Sequence, residues 1–106
     1  MFAKYASAFE WIPAGYEGAE RAMLRLSPSK GRTSVVRIKA GALGPRHRHE
    51  AGEDVLVISG KILIGGSTLT AGDYFYTEPG EVHDVLAIED SVIYVASEKP
   101  VTVLEK

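Results

Sequence analysis

Residues 41–60 read GALGPRHRHEAGEDVLVISG and hold two of the three histidines in the chain. His47 and His49 are two positions apart, so in an extended segment both side chains leave the same face. Glu53 follows four positions later, and the third histidine, His83, lies thirty residues beyond Glu53 on a separate predicted strand. Three imidazoles and one carboxylate form a ligand set that suits a divalent first-row metal and leaves one or two coordination positions open.

A pattern of glycines surrounds these side chains. Five positions match the first cupin motif at every spacing: Gly41, His47, His49, Glu53 and Gly60. The second cupin motif is matched in part, by Gly72, Gly80 and His83. Pro79 comes one position later than the proline of that motif, and Ala87 stands where the motif has asparagine. The chain therefore resembles the cupin family over residues 41–60 and 72–87.

The resemblance implies an all-β fold, namely a single-domain antiparallel cupin (a double-stranded β-helix or jelly-roll barrel) over residues 1–106. We expect residues 1–20 to form an N-terminal segment that covers this barrel. The resemblance also implies the metal ligands, which are His47, His49, Glu53 and His83. Two neighbouring coordination positions would remain for water, dioxygen or a chelating ligand. Such a site accepts Zn, Fe, Mn, Ni or Cu, so one divalent ion is expected and its identity stays open.

Short stretches rich in Val, Ile, Tyr and Thr, separated by glycines and prolines, predict strands in a sandwich or barrel. The predicted strands are Ala22–Leu26, Thr33–Ala40, Asp54–Ser59, Lys61–Ile64, Thr68–Thr70, Asp73–Thr77, His83–Ile88, Ser91–Ser97 and Val101–Leu104. Gly65-Gly66 predicts a tight hairpin, because glycine tolerates the positive φ that such turns need. Glu89-Asp90 predicts a second tight turn.

Strand alternation predicts the walls of the pocket beside the metal. The expected pocket residues are Val55, Val57, Val85, Ala87 and Tyr94. Val55 and Val57 alternate with Glu53 so that they face the same side of their strand, and Val85 and Ala87 do the same with His83. Tyr94 would supply a polar group. Arg46 and Arg48 alternate with the histidines and are expected to point into solvent. The pocket would be largely apolar around a polar metal, as ligand sites often are.

The same alternation predicts an apolar outer surface. Leu56, Ile58, Leu86 and Ile88 are expected to face outward, where a contiguous apolar patch would be unfavourable in water. Either the N-terminal segment with Phe9 and Trp11 covers the patch, or a second subunit does. We predict a homodimer that buries it.

Composition limits the partners. The net charge is −2, and no run of Lys or Arg alternates with aromatic residues, so nucleic acid is not expected as a partner. Cysteine is absent, which removes disulfides and thiolate metal sites. No apolar run approaches the roughly 20 residues that cross a bilayer, and the N-terminal residues lack the charged-then-apolar pattern of a signal peptide. A cytoplasmic protein without membrane contact is the expectation.

Two functions remain open from the sequence. The first is a metal-dependent enzyme that oxidises a small chelating substrate in the manner of a dioxygenase, such as a β-dicarbonyl or hydroxyketone. A divalent metal with three neutral imidazoles and one carboxylate carries a charge of about +1, which favours an anionic or chelating ligand. The second is a sensing or regulatory module, because residues 47–60 resemble the zinc-binding cupin domain of certain anti-sigma factors. An epimerase-like sugar-binding cupin is a third reading, disfavoured by the complete ligand set. No catalytic residue beyond the metal ligands is assigned.

Overall fold

The computed structural model describes residues 1–29 and 31–104. In this part of the chain a single 3-10 turn, Ala6–Ala8, precedes two antiparallel sheets. The strands are β1 (Trp11–Pro13), β2 (Ala19–Leu26), β3 (Arg32–Ile38), β4 (Leu43–Arg48), β5 (Glu53–Ser59), β6 (Lys61–Ile64), β7 (Ser67–Thr70), β8 (Tyr74–Thr77), β9 (Val82–Ala87), β10 (Ser91–Ser97) and β11 (Thr102–Val103). One sheet has the order β1-β2-β3-β10-β5-β8 and the other the order β11-β4-β9-β6-β7. This is the antiparallel all-β fold that the sequence predicts, arranged as a jelly-roll sandwich.

The core lies between the facing sides of the two sheets. Alternation along each strand decides what enters it: on β3 the side chains of Val36 and Ile38 are buried while Arg37 between them is exposed. From the five-stranded sheet, Ile62 and Ile64 of β6 are buried almost completely. Each such side chain gains about 1.5–3 kcal/mol from leaving water, which makes this apolar layer the main source of stability.

Every predicted strand overlaps an observed one, and the Gly65-Gly66 hairpin joins β6 to β7 as expected. Two observed strands, β1 and β4, were not predicted. The β4 segment contains Gly44 and Pro45, two residues that usually mark turns, and this composition hid a strand that carries His47. The Glu89-Asp90 turn connects β9 of the five-stranded sheet to β10 of the six-stranded sheet, so it carries the chain between the sheets and does not form a hairpin.

Gly60 marks the passage of the chain from one sheet to the other. It joins β5 to β6 with a φ of +88°, a conformation that residues with a Cβ rarely adopt. A Cβ at this position would also collide with the backbone oxygen of Asp90 and with Ser91. The structure therefore explains the last glycine of the first motif by both backbone conformation and lack of space.

The N-terminal residues lie along the six-stranded sheet. Trp11 pairs in register with Ala22, and the guanidinium carbon of Arg37 lies 4.0 Å from the centre of its ring. Ala14 and Tyr16 pack against the core. No helix in the described residues is long and apolar enough to span a membrane. The division of the chain into a covering segment and two motif regions stays a prediction.

Candidate metal centre

A β-bulge aligns two of the histidines. Along the pairing of β4 with β9, Gly44 lies opposite Val85, and His47 lies opposite His83. Between these pairs two residues of β4, Pro45 and Arg46, lie opposite the single residue Asp84 of β9, and the extra residue brings His47 to the same side of the sheet as Gly44. The bulge is what makes both imidazoles face the interior.

His49 follows the end of β4 and is fixed by its backbone. Its N–H donates to the oxygen of Glu81 at 2.9 Å, and its own carbonyl accepts from the N–H of Gly80 at 2.7 Å. The turn that carries the second motif is thus bonded directly to the first motif. As a result the side chain of His49, which is 1% exposed, lies next to His83.

The three imidazoles converge through the same ring atom. The Nε2 atom of His49 lies 3.0 Å from that of His47 and 3.0 Å from that of His83. A ring nitrogen either carries a proton and donates, or lacks one and accepts. One Nε2 atom therefore cannot donate a hydrogen bond to one neighbour and accept a hydrogen bond from the other. Two nitrogens about 2.1 Å from one ion lie about 3.0 Å apart at a right angle and about 3.4 Å apart at a tetrahedral angle. The observed spacing fits neighbouring ligands of a shared divalent ion.

Local electrostatics keeps these rings available as ligands. Burial, followed by the neighbouring imidazole of His47, lowers the pKa of His49 to about 4. Burial and the two other histidines lower the pKa of His83 to about 4 as well. The Nδ1–H of His47 donates to the carbonyl oxygen of Pro45 at 2.9 Å, which favours the neutral tautomer whose Nε2 can bind a metal. Neutral rings with bare Nε2 atoms are the form that binds a metal.

Glu53 lies beside this cluster and outside it. The group of potential ligand atoms within 4.8 Å of one another contains His47, His49 and His83 among the described residues, and Glu53 is not in it. Its Oε2 accepts a hydrogen bond from the Ser97 hydroxyl at 2.6 Å and lies 3.8 Å from Nδ1 of His49, the nitrogen on the other side of that ring. Coordination by Glu53 therefore stays a prediction.

A cavity of about 160 Å³ opens between the two sheets beside His47 and Glu53. Of the predicted pocket residues, Val85 lines it, whereas Val55, Val57 and Ala87 belong to the buried core. Tyr94 is a correction, because it lies between Ile93 and Val95, which both line the cavity, and so faces the opposite side of the sheet. The valines lie deeper than expected because β6 and β7 close that end with Ile62, Ile64 and Leu69.

The cavity also contains polar residues that the sequence analysis missed: Tyr16, Arg21, Arg32, Ser34 and Ser97. Arg21 was missed because the predicted strand began one residue later, at Ala22, while the observed β2 begins at Ala19. Strand alternation could have predicted the inward orientation of Arg21, because Arg21 lies two positions after the buried Ala19 on β2 and so on the same face. Arg48 is exposed as expected and pairs with Glu50 at 2.9 Å. Arg46 is exposed too.

The predicted outer patch is divided between the two sheets. Leu56 and Ile58 lie on β5 in the six-stranded sheet and are 41% and 51% exposed. Leu86 lies on β9 in the five-stranded sheet, and Ile88 follows that strand. The expectation that the four residues form one patch was therefore wrong, because the turn after β9 crosses between the sheets. On the six-stranded sheet the apolar row continues through Tyr94 and Tyr74, which pair in register with Leu56.

Comparison with known proteins identifies the family. The sequence model of the ChrR cupin-like domain matches residues 2–102. The DNA damage-repair/toleration protein DRT102 of Arabidopsis thaliana is 33% identical in an alignment of 84 positions, which covers 74% of this chain and 26% of that protein. The chain thus spans about a quarter of the length of this curated relative.

Solved structures share the fold at low sequence identity. An acetylacetone dioxygenase from Acinetobacter johnsonii superposes with a TM-score of 0.86 at 19% identity, over 100% of this chain and 78% of that one. The Rhodobacter sphaeroides complex of SigE with the anti-sigma ChrR superposes with a TM-score of 0.76 at 22% identity, over 88% of this chain and 50% of that one. At these identities the likeness establishes the fold alone.

Proposed function

This chain belongs to the ChrR cupin-like domain family, and from that premise we propose that it is a metal-dependent enzyme that oxidises a small chelating substrate in the manner of a dioxygenase. The observation that carries the proposal is the convergence of the Nε2 atoms of His47, His49 and His83 at 3.0 Å spacings beside a small cavity. Such a site can hold one divalent ion and leaves room for a ligand next to it. The acetylacetone dioxygenase fold, shared at a TM-score of 0.86, supports this class of reaction.

Each residue of the site has a separate task in this proposal. The three histidines hold the ion, and the Pro45 carbonyl fixes the tautomer of His47. The ion would supply Lewis acidity and, as iron(II), reactivity toward dioxygen. Val36, Val85 and Val95 line the cavity and limit access of water to the substrate.

Glu53 is proposed as the fourth ligand of the ion. Its Oε2 accepts the hydrogen bond of Ser97, and a carboxylate has enough lone pairs to keep that bond while it coordinates an ion. A carboxylate would reduce the charge of a divalent site from +2 to +1 and stabilise the bound ion.

The test is oxygen consumption by protein of defined metal content. Metal-free protein is loaded anaerobically with iron(II), given a panel of β-dicarbonyls and hydroxyketones, and followed with an oxygen electrode. We expect at least one compound to be consumed, and we expect turnover to disappear in His83→Ala. Arg48→Ala is the matched control, because Arg48 is exposed and pairs only with Glu50 in the contacts described. Oxygen uptake that persists in His83→Ala would contradict the proposal.

A second candidate function is a sensing or regulatory module. The observations that favour it are the match to the ChrR cupin-like family over residues 2–102 and the fold shared with the SigE–ChrR complex. Sensing requires binding without turnover, so compounds of the panel would raise the melting temperature of the metal-loaded protein while no oxygen is consumed. Zinc in protein purified without a metal-affinity tag would favour this function, and iron or manganese would favour the enzyme.

A further inference from the structure

Arg21 turns its side chain into the cavity of the metal site. Its partner in the register of β2 with β3 is Val36, which is buried, and both residues line the cavity together with His47 and Glu53. Side chains of directly paired residues lie on the same side of a sheet. The guanidinium group is therefore directed at the interior, in contrast to the exposed Arg48.

The guanidinium lacks an acceptor on one of its donors. The Nε atom of Arg21 is buried and has no hydrogen-bond partner in the described part of the chain. A charged donor removed from water without an acceptor is unfavourable, so a buried group of this kind calls for a functional explanation. A bound anion that accepts this hydrogen bond would supply one.

The charges around the cavity favour an anion. Arg32 also lines it, and burial followed by repulsion from Arg32 lowers the pKa of Arg21, against the weaker opposing effects of Glu53 and Tyr16. Glu53 is the acidic residue among the described cavity residues, and its Oε2 is already engaged by Ser97. Two guanidinium groups against one carboxylate leave a formal charge of +1 at this end of the cavity, before any divalent ion is added. Fixed positive charge in an apolar cavity attracts an anionic ligand.

The size of the cavity restricts the ligand. A closed apolar cavity of about 150 Å³ holds a benzene-sized molecule, so a cavity of about 160 Å³ suits about six to ten non-hydrogen atoms. A neutral β-diketone could place its oxygens at the histidine centre, but it would leave the Nε of Arg21 without an acceptor. A chelator that also bears a carboxylate could satisfy both ends.

We propose that Arg21, assisted by Arg32, binds the carboxylate of a small oxo acid whose carbonyl oxygens lie at the histidine centre. This inference rests on the proposed function and specifies its substrate class as short-chain dioxo or hydroxy-oxo carboxylic acids. Arg21 is then the residue that sets specificity, because an arginine pairs with a carboxylate in a bidentate geometry that a neutral ligand cannot offer.

The experiment compares two probes of equal size on protein loaded with redox-silent zinc. The probes are 2,4-dioxopentanoate and its carboxamide, which differ in charge and not in the number of non-hydrogen atoms. Isothermal titration calorimetry should show that the wild-type protein binds the carboxylate at least about tenfold more tightly than the amide. In Arg21→Gln this preference should fall by about tenfold, while affinity for the amide and the zinc content stay unchanged.

Two further variants make the result decisive. Arg48→Gln removes an exposed arginine and should keep the full preference for the carboxylate. Arg21→Lys keeps the charge but loses the planar guanidinium that pairs with a carboxylate through two hydrogen bonds, so it should retain only part of the preference. This variant replaces Arg21→Gln if Arg21→Gln does not fold. Equal affinity for the two probes in the wild type, or an undiminished preference for the carboxylate in both Arg21 variants, would overturn the inference. Zinc uptake without such a preference would remove only the role of Arg21, whereas failure to bind zinc would remove the proposed function itself.

Discussion

The two sheets present different chemistry to the same cavity. The five-stranded sheet supplies imidazoles, with His47 on β4 directly opposite His83 on β9. The six-stranded sheet supplies charged groups, namely Arg21, Arg32 and Glu53 on three of its strands. The imidazoles are suited to hold a metal, and the guanidinium groups are suited to orient a ligand beside it. The arginines can therefore be substituted without removing a histidine ligand, whereas Glu53 connects the six-stranded sheet to the proposed metal site.

The largest effect is expected from His49, whose Nε2 atom lies 3.0 Å from the Nε2 atoms of both other histidines. His49→Ala removes the Nε2 atom that lies 3.0 Å from His47 and from His83, so metal affinity should fall by more than about 100-fold. Elemental analysis after dialysis against a weak chelator measures the metal content. We expect about one divalent ion per wild-type chain and almost none in the variant. Full occupancy in His49→Ala would show that the site lies elsewhere.

A smaller effect is expected on the side of the six-stranded sheet. Glu53→Gln keeps the size of the side chain and removes its charge, so metal affinity should fall by about 10- to 100-fold while the fold persists. Ser97→Ala keeps the Glu53 carboxylate and removes only its hydrogen bond, so metal affinity should fall less than in Glu53→Gln. Competition titrations with a chromophoric chelator measure both affinities. Unchanged affinity in Glu53→Gln would mean that the metal is held by histidines alone.

A pH effect is expected in the metal-free protein. In the folded state the pKa values of His49 and His83 are lowered to about 4, whereas the unperturbed value is 6.5. Between these values the unfolded chain binds more protons than the folded chain, so stability falls as the pH drops from about 6.5 toward 4. Melting temperatures in the presence of a chelator should decrease across this window. The decrease should be weaker in the double variant His49→Gln/His83→Gln, and an equal decrease would refute the lowered pKa values.

The smallest effect concerns the outer surfaces. Leu56 is 41% exposed within the apolar row of the six-stranded sheet, and we predict that a homodimer buries this row. Leu56→Lys should shift the light-scattering mass toward the monomer by weakening the interface. Ile88→Lys is the control, since Ile88 is 44% exposed but follows a strand of the other sheet. A wild-type protein that is monomeric at micromolar concentration would exclude the dimer.

The sequence predicted the histidine side of the site better than the arginine side. His47 and His49 alternate on an extended segment, and their spacing to the glycines is sufficient to identify the motif without knowing any strand partner. The inward orientation of Arg21 depends on where β2 begins, and strand ends are poorly determined by composition. Tyr94 was misplaced for a related reason, because its parity follows from pairing with Leu56, an outward residue of β5. A local sequence pattern is therefore enough to identify the metal-binding histidines. Placing cavity residues from strands that are distant in sequence requires the register in which those strands pair.

The bulge that aligns His47 with His83 has a consequence for local motion. Strand β4 lies between β11 and β9, and its amide protons exchange with solvent when the strand separates briefly from these neighbours. An ion held by His47 and His83 would bridge β4 and β9, so the strand could separate only after the ion leaves. Deuterium uptake by residues 46–48 should then slow in proportion to free metal concentration. Such a measurement would report occupancy for zinc as well as for iron, although zinc has no absorption of its own.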